Sequence, residues 1–208
     1  MTDHPDFSAA PAWYDLHAEV YRQAAETCRP QAEWDIFLKD LPPRSRILDV
    51  GCGTGRDFEV FRAAGHRVSG LEPSGEMRRI ARARLGACVR LRAERLQEFQ
   101  DPEGSWDGIW AMASLLHIPA AEQATVVANL FQSLVPGGRL YACWKLQRAA
   151  EAPEQLDAQG RPVCAMSFPR AEEIARRIAP GGVKVWPSIA RSSSGQDTAW
   201  LNMLLRKG

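Results

Sequence analysis

The sequence predicts an α/β fold: a mostly parallel seven-stranded sheet with helices on both faces and an antiparallel last strand. Three observations predict it. Short apolar runs alternate with helix-period segments over residues 44–145, the order that builds a parallel sheet with right-handed crossovers. The run Ile47-Leu48-Asp49-Val50 leads directly into Gly51-Cys52-Gly53-Thr54-Gly55, with glycine at every second position before a helix start, as in the first βα unit of a nucleotide-type binding fold. Two further strand-like runs, 183–186 and 198–205, flank Arg191-Ser192-Ser193-Ser194-Gly195, a flexible turn that lets them pair as a hairpin.

The elements follow in order. Trp13, Leu16, Val20, Ala24 and Cys28 recur at helical spacing, as do Trp34, Phe37, Leu38 and Leu41, which predicts two N-terminal helices. Pro42-Pro43 ends the second. Residues 46–50 form the first strand, 58–64 a helix with Gly65 at its C-terminal cap, and 66–71 the second strand. Ser74 caps a helix that runs to about Leu85, with Met77, Ile80 and Ala81 inward. Residues 88–92 and 106–111 are the third and fourth strands. Val126, Val127, Leu130, Phe131 and Leu134 make the stripe of a helix that stops at Val135-Pro136-Gly137-Gly138, and 139–144 is the fifth strand. The region 147–161 reads as a long loop and 170–178 as a helix. The whole is Rossmann-like and one domain: 1–43 a helical lid, 44–145 the core, 146–208 a substrate loop and C-terminal hairpin.

Composition excludes several classes. At 208 residues with 45% hydrophobic and 25% charged content, the chain is an ordinary globular domain. A net charge of +1 gives no global pull toward nucleic acid or membrane. No apolar run approaches the ~20 residues of a membrane helix, and residues 1–10 lack a secretory apolar core. Five cysteines without a Cys-x-x-Cys pair argue against a disulfide framework or metal site and fit a reducing cytoplasm. Seven arginines fall between Arg78 and Arg95; without aromatics for stacking they read as a solvated surface rather than a nucleic-acid face.

The chemistry-bearing residues cluster at strand ends. Glycines at 51, 53 and 55 let the backbone turn sharply and approach a ligand. Glu72, with Pro73 beside it, ends the second strand, where an acceptor-only carboxylate can take both hydroxyls of a ribose. Ala93 and Glu94 follow the third strand, where an adenine amino group can be contacted. Cys52 reads as a small residue of the turn rather than a nucleophile. His117 is the one histidine near this edge, either a general base or a residue that fixes its loop.

The spacing Asp49-x-Gly51-x-Gly53-x-Gly55 resembles motif I of class I S-adenosylmethionine (SAM) methyltransferases. The stretch Trp106-Asp107-Gly108-Ile109-Trp110-Ala111-Met112-Ala113-Ser114-Leu115-Leu116-His117-Ile118-Pro119 is similar to motif IV of small-molecule methyltransferases, and Leu134-Val135-Pro136-Gly137-Gly138 to the turn before their fifth strand. The resemblance implies SAM as cofactor, S-adenosylhomocysteine as product, no metal, and a small-molecule acceptor. It places Met112 along the adenosyl-methionine ligand and Ser114 and Leu115 near the transferred methyl. A segment carrying Trp13, Tyr14, Tyr21 and Arg22 folds over the cofactor in similar enzymes, with Arg22 or Arg56 facing the methionine carboxylate. The end of the chain is loosely similar to bacterial tellurite-resistance and thiopurine methyltransferases, but Gly160-Arg161 is followed by Pro162-Val163-Cys164 instead of spaced aromatics, so acceptor identity does not carry over. Ala113-Ser114-Leu115-Leu116 stands where enzymes that methylate DNA-base amines carry Asn/Asp-Pro-Pro-Tyr/Phe. Two other readings stay open: a non-catalytic SAM-binding regulator, and an NAD-dependent oxidoreductase, for which the glycine spacing is wrong. Monomer and homodimer are both compatible with the sequence.

Overall fold

The computed structural model describes residues 7–145, 183–191 and 197–208. The expected loop at 147–161 and helix at 170–178 lie outside them. The α-helices are α1 (Ala10–Thr27), α2 (Gln31–Leu38), α3 (Arg56–Ala63), α4 (Gly75–Leu85) and α5 (Ala120–Gln132). The strands are β1 (Arg46–Val50), β2 (Arg67–Leu71), β3 (Arg90–Arg92), β4 (Trp106–Ala111), β5 (Leu134–Lys145), β6 (Val183–Arg191) and β7 (Asp197–Arg206). They form one sheet in the order β3-β2-β1-β4-β5-β7-β6. Neighbours from β3 through β5 pair in parallel. β7 is antiparallel to both β5 and β6, so the C-terminal hairpin pairs as expected and its last strand lies inside the sheet.

The sheet is covered on both sides. On one face Leu48, Val50, Leu71 and Ile109 pack with Val126, Val127 and Leu130 of α5. On the other, Ile47, Trp110 and Tyr141 pack with Trp34 and Phe37 of α2 and Phe61 of α3. Burying these large apolar side chains contributes about 1.5–3 kcal/mol each and holds the strand ends in fixed register. Ser74 caps α4 by accepting the Met77 N–H at 3.1 Å, and Gly65 follows α3 with φ of 88°, the left-handed conformation a helix-ending glycine adopts. No helix among the described residues is long and apolar enough to cross a membrane.

Three expectations are corrected. The stripe of α1 is not its buried face: Ala10, Ala18 and Ala25 are buried, while Leu16 and Val20 are 83% and 70% exposed. Long-range contacts set this rotation, because Asp15 accepts from the Ser74 hydroxyl and the Glu76 N–H at the start of α4. The β3–β4 connection holds no α-helix, only a 3-10 turn at Leu96–Glu98 anchored by buried Leu96 and Phe99. Finally, β5 begins before the Pro-Gly-Gly turn. Trp106 pairs with Leu134 and Gly108 with Arg139, so the turn bulges from within the strand.

Candidate functional site

In a parallel α/β sheet, ligands bind at the carboxyl ends of the strands where strand order reverses. Here that point lies between β1 and β4, and a cavity of about 740 Å³, open mouth included, sits over it. Its floor is Gly51 and Gly53 after β1, Leu71, Glu72 and Pro73 after β2, and Met112, Ala113 and Ser114 after β4. Tyr14 and Tyr21 of α1 close it from above, with His117 at one wall. The sequence-predicted residues Tyr14, Tyr21, Gly51, Gly53, Glu72, Pro73, Met112, Ser114 and His117 therefore meet in one place.

The glycines divide by role. All three have positive φ, 66° at Gly51, 53° at Gly53 and 83° at Gly55. A Cβ on Gly51 would lie 2.6 Å from Ser114 Cβ, and one on Gly55 2.7 Å from Leu85 Cδ1, so both positions are small because protein packs against them. A Cβ on Gly53 would meet nothing nearer than Tyr21 Cε1 at 3.7 Å. Its space belongs to the cavity.

Glu72 is buried, and its two oxygens accept the N–H groups of Gly53 at 3.0 Å and Ser74 at 2.8 Å. Burial raises its carboxyl above the ordinary 4.5, since desolvation disfavours the charged form. Each oxygen keeps lone-pair capacity for a further donor. Ser114 Oγ is buried with no hydrogen-bond partner among the described residues, an unmade bond at the cavity wall of the kind a bound ligand satisfies. Between them Ala113 has φ of 52° and donates its N–H to Cys143 Sγ at 3.1 Å. A non-glycine residue in this region is strained, and here the strain turns Met112 and Ser114 toward the cavity. Burial pushes the Cys143 thiol up to about 12, so it stays protonated beside Met112. The Tyr14 hydroxyl and His117 Nε2 are 2.9 Å apart, a bond between α1 and the β4 loop.

Similarity to known proteins agrees with this geometry. The methyltransferase-domain family matches residues 47–138. Trans-aconitate 2-methyltransferase of Paracidovorax citrulli is 32% identical over 130 residues, 61% of this chain and 49% of that protein. This chain spans about half the length of that relative. An uncharacterized methyltransferase of Geobacillus kaustophilus is 33% identical over 156 residues, 71% of this chain and 72% of that one. The chain belongs to the class I SAM-dependent methyltransferase family. The crystal structure of Burkholderia thailandensis 1,6-didemethyltoxoflavin-N1-methyltransferase, with bound 1,6-didemethyltoxoflavin and S-adenosylhomocysteine, superposes with a TM-score of 0.69 at 22% identity. The match covers 100% of this chain and 92% of that one and shows a shared fold.

The structure places several expected site residues elsewhere. Arg22 is bound to Glu19 on the outer face of α1 at 2.6 Å. Arg56 holds Asp57 through two bonds and donates to the Ala25 and Cys28 carbonyls, which ties down the end of α1 instead of facing the cavity. Trp13 stacks on His17 with ring centres 4.2 Å apart. Ala93 is exposed, Glu94 pairs with Arg92, and the cavity is lined by Arg95, Leu96 and Gln97 instead. Leu115 is fully buried in the core and Gly55 packs on α4. Asp49 and Cys52 lie buried beneath the turn. Burial raises both of their side-chain groups well above the ordinary range, which keeps the Cys52 thiol protonated and unreactive.

Other lining residues were not read from the sequence. Met77 and Ile118 were assigned to packing and to the loop. Phe7, Ala10 and Pro11 lie in a segment without a motif. Leu96 had one legible signal, the isolated leucine after a charged stretch that closes the β3 connection.

Proposed function

We propose that the cavity binds SAM and that the protein transfers its methyl group to a small-molecule acceptor by direct in-line displacement. One observation carries the reading: the open space over Gly53, bounded by the Tyr21 ring and by a buried Glu72 carboxylate. A carboxylate there accepts from a ribose diol and repels a 2′-phosphate. Glycine without a side chain admits the ligand backbone-close.

SAM supplies a methyl on a sulfonium, already a good leaving group. The chain's own work is positioning and exclusion of water, and alignment of this kind is worth ~7–11 kcal/mol. In our reading Glu72 orients the sugar, Met112 and Ser114 flank the reacting end, and Tyr14 and Tyr21 of α1 shut out solvent. His117 fixes the loop through Tyr14, and its ring nitrogen is also the group near the cavity suited to take a proton from an N–H or O–H acceptor. A thiolate, selenolate or tellurium anion needs no such base. The relatives' names include small-molecule methyltransferases, which supports an acceptor of that class. Free cysteines at 28, 52, 88 and 143 among the described residues support action in a reducing compartment such as the cytoplasm.

Calorimetry with SAM, S-adenosylhomocysteine and NAD tests the binding. Micromolar binding of the first two without NAD supports it; binding of NAD alone replaces it with hydride chemistry. Release of S-adenosylhomocysteine in the presence of candidate acceptors separates an enzyme from a SAM-binding regulator.

A further inference from the structure

The amino end of the sheet, opposite the cavity, carries a second groove. Arg46, Arg62, Arg67, Arg90 and His66 line it, and no aspartate or glutamate does. Register puts three of these arginines in a row: Arg46 pairs with Arg67 across β1 and β2, and Ser69 pairs with Arg90 across β2 and β3. Paired residues share a face, and 69 shares its face with 67, so Arg46, Arg67 and Arg90 stand on one side of three adjacent strands ~4.8 Å apart. Like charges facing each other across strands are unfavourable.

Among the described residues only part of this charge is answered. Arg46 meets Asp107 at 3.0 Å, and Arg62 donates to the Leu85 carbonyl at 2.7 Å. Arg67 and Arg90 are exposed and have no acidic partner among the described residues. His66 Nδ1 is buried in the same groove with no hydrogen-bond partner among the described residues. Three other arginines of the run differ: Arg79 is paired with Glu76, Arg84 with Glu59 and Glu26, and Arg92 with Asp101 and Glu94. The missing β3–β4 helix explains why the row stays open. The 3-10 turn in its place packs Leu96 and Phe99 on the core beside the Arg92 end of β3 and leaves the Arg90 end bare.

We propose that this groove is an anion site that takes the phosphate of a small phosphorylated ligand, gripped by Arg67 and Arg90 and separate from the SAM cavity. Guanidinium groups match phosphate oxygens two at a time, and a bound dianion offsets the unanswered charge of Arg67 and Arg90. This inference stands on the groove alone and does not rest on the methyl-transfer reading.

The test is calorimetric titration of the full chain with inorganic pyrophosphate at low ionic strength. It is repeated for R67Q, for R90Q and for the double variant, with S-adenosylhomocysteine binding measured alongside. Saturable binding at one site is expected, weakened at least tenfold in the double variant and less in each single one. S-adenosylhomocysteine affinity should stay unchanged, and melting temperatures should hold or rise because repulsion is relieved. Absence of saturable binding overturns the proposal, and so does equal affinity in the double variant. Binding of a single-stranded RNA oligonucleotide without saturable pyrophosphate binding also overturns it and assigns the row to a nucleic-acid surface.

Discussion

Tyr14 and His117 stand 103 positions apart in the chain and meet through a 2.9 Å hydrogen bond, with ring centres 5.3 Å apart and planes at 88°. The contact joins α1 to the loop after β4 across the cavity mouth. Tyr14→Phe keeps the ring and removes the bond, which is worth about 0.5–1.5 kcal/mol. S-adenosylhomocysteine affinity should therefore fall by roughly 2- to 10-fold by calorimetry, with little change in melting temperature. Unchanged affinity would mean that α1 is held over the cavity without this bond.

The three glycines of the β1 turn should separate in two measurements. Gly51→Ala and Gly55→Ala each force a Cβ to within 2.6–2.7 Å of Ser114 or Leu85, and overpacking of this kind costs ~1–3 kcal/mol. Their melting temperatures should drop most. Gly53→Val carries backbone strain of about 1–3 kcal/mol, but its Cβ meets nothing nearer than Tyr21 Cε1 at 3.7 Å, and its side chain enters the ligand's space. It should remain folded and lose SAM binding. Wild-type affinity in Gly53→Val would move the site away from this turn.

Glu72 gives a pH signature. Ribose hydroxyls donate to the ionised carboxylate, so binding lowers its pKa, and affinity is complete above the free protein's value and lost as pH falls through it. That value lies above the ordinary 4.5 because the group is buried, so the decline should begin at higher pH than an exposed glutamate would give. Glu72→Gln should flatten the profile, and Glu72→Ala should weaken SAM by ~1–3 kcal/mol. A parent profile flat across the acid range would remove Glu72 from the ligand.

How much of this was legible in the sequence depends on whether the information is local. β1 and β4 were read to the residue because each is an apolar run bounded by turn residues. Ser74 was readable as a cap because capping acts over three positions. The face that α1 buries was not readable: helical spacing marks Leu16 and Val20 as a stripe, yet Asp15 and Tyr14 fix the helix through partners 59 and 103 residues away. Arg22 and Arg56 are the opposite case, since their acidic partners are local. Both were plausible carboxylate partners, and both are held by residues close in the chain, Glu19 and Asp57. In the β1 turn the spacing identified the family, but the different work of Gly51, Gly53 and Gly55 depends on Ser114, Tyr21 and Leu85.

Asp57 should be the costliest single residue to remove outside the cavity. Its carboxylate accepts the indole N–H of Trp34 at 3.2 Å and of Trp110 at 2.9 Å. It also receives Arg56 Nε at 2.7 Å and Nη2 at 3.0 Å. One buried carboxylate thus links α2, α3 and β4, and through Arg56 it reaches the end of α1. Asp57→Ala leaves two buried indole donors and a largely buried guanidinium without their acceptor. Breaking a buried pair from one side costs ~3–5 kcal/mol, and denaturant titration should show a loss of that size. Asp57→Asn retains one acceptor and should lose less. Trp34→Phe removes a single donor together with part of an aromatic side chain, leaves Arg56 paired, and should cost less than Asp57→Ala. If Asp57→Ala unfolds within about 1 kcal/mol of the parent, water must replace the carboxylate at all four donors, and the lid is then held by α1–α4 packing and the Tyr14–His117 bond instead.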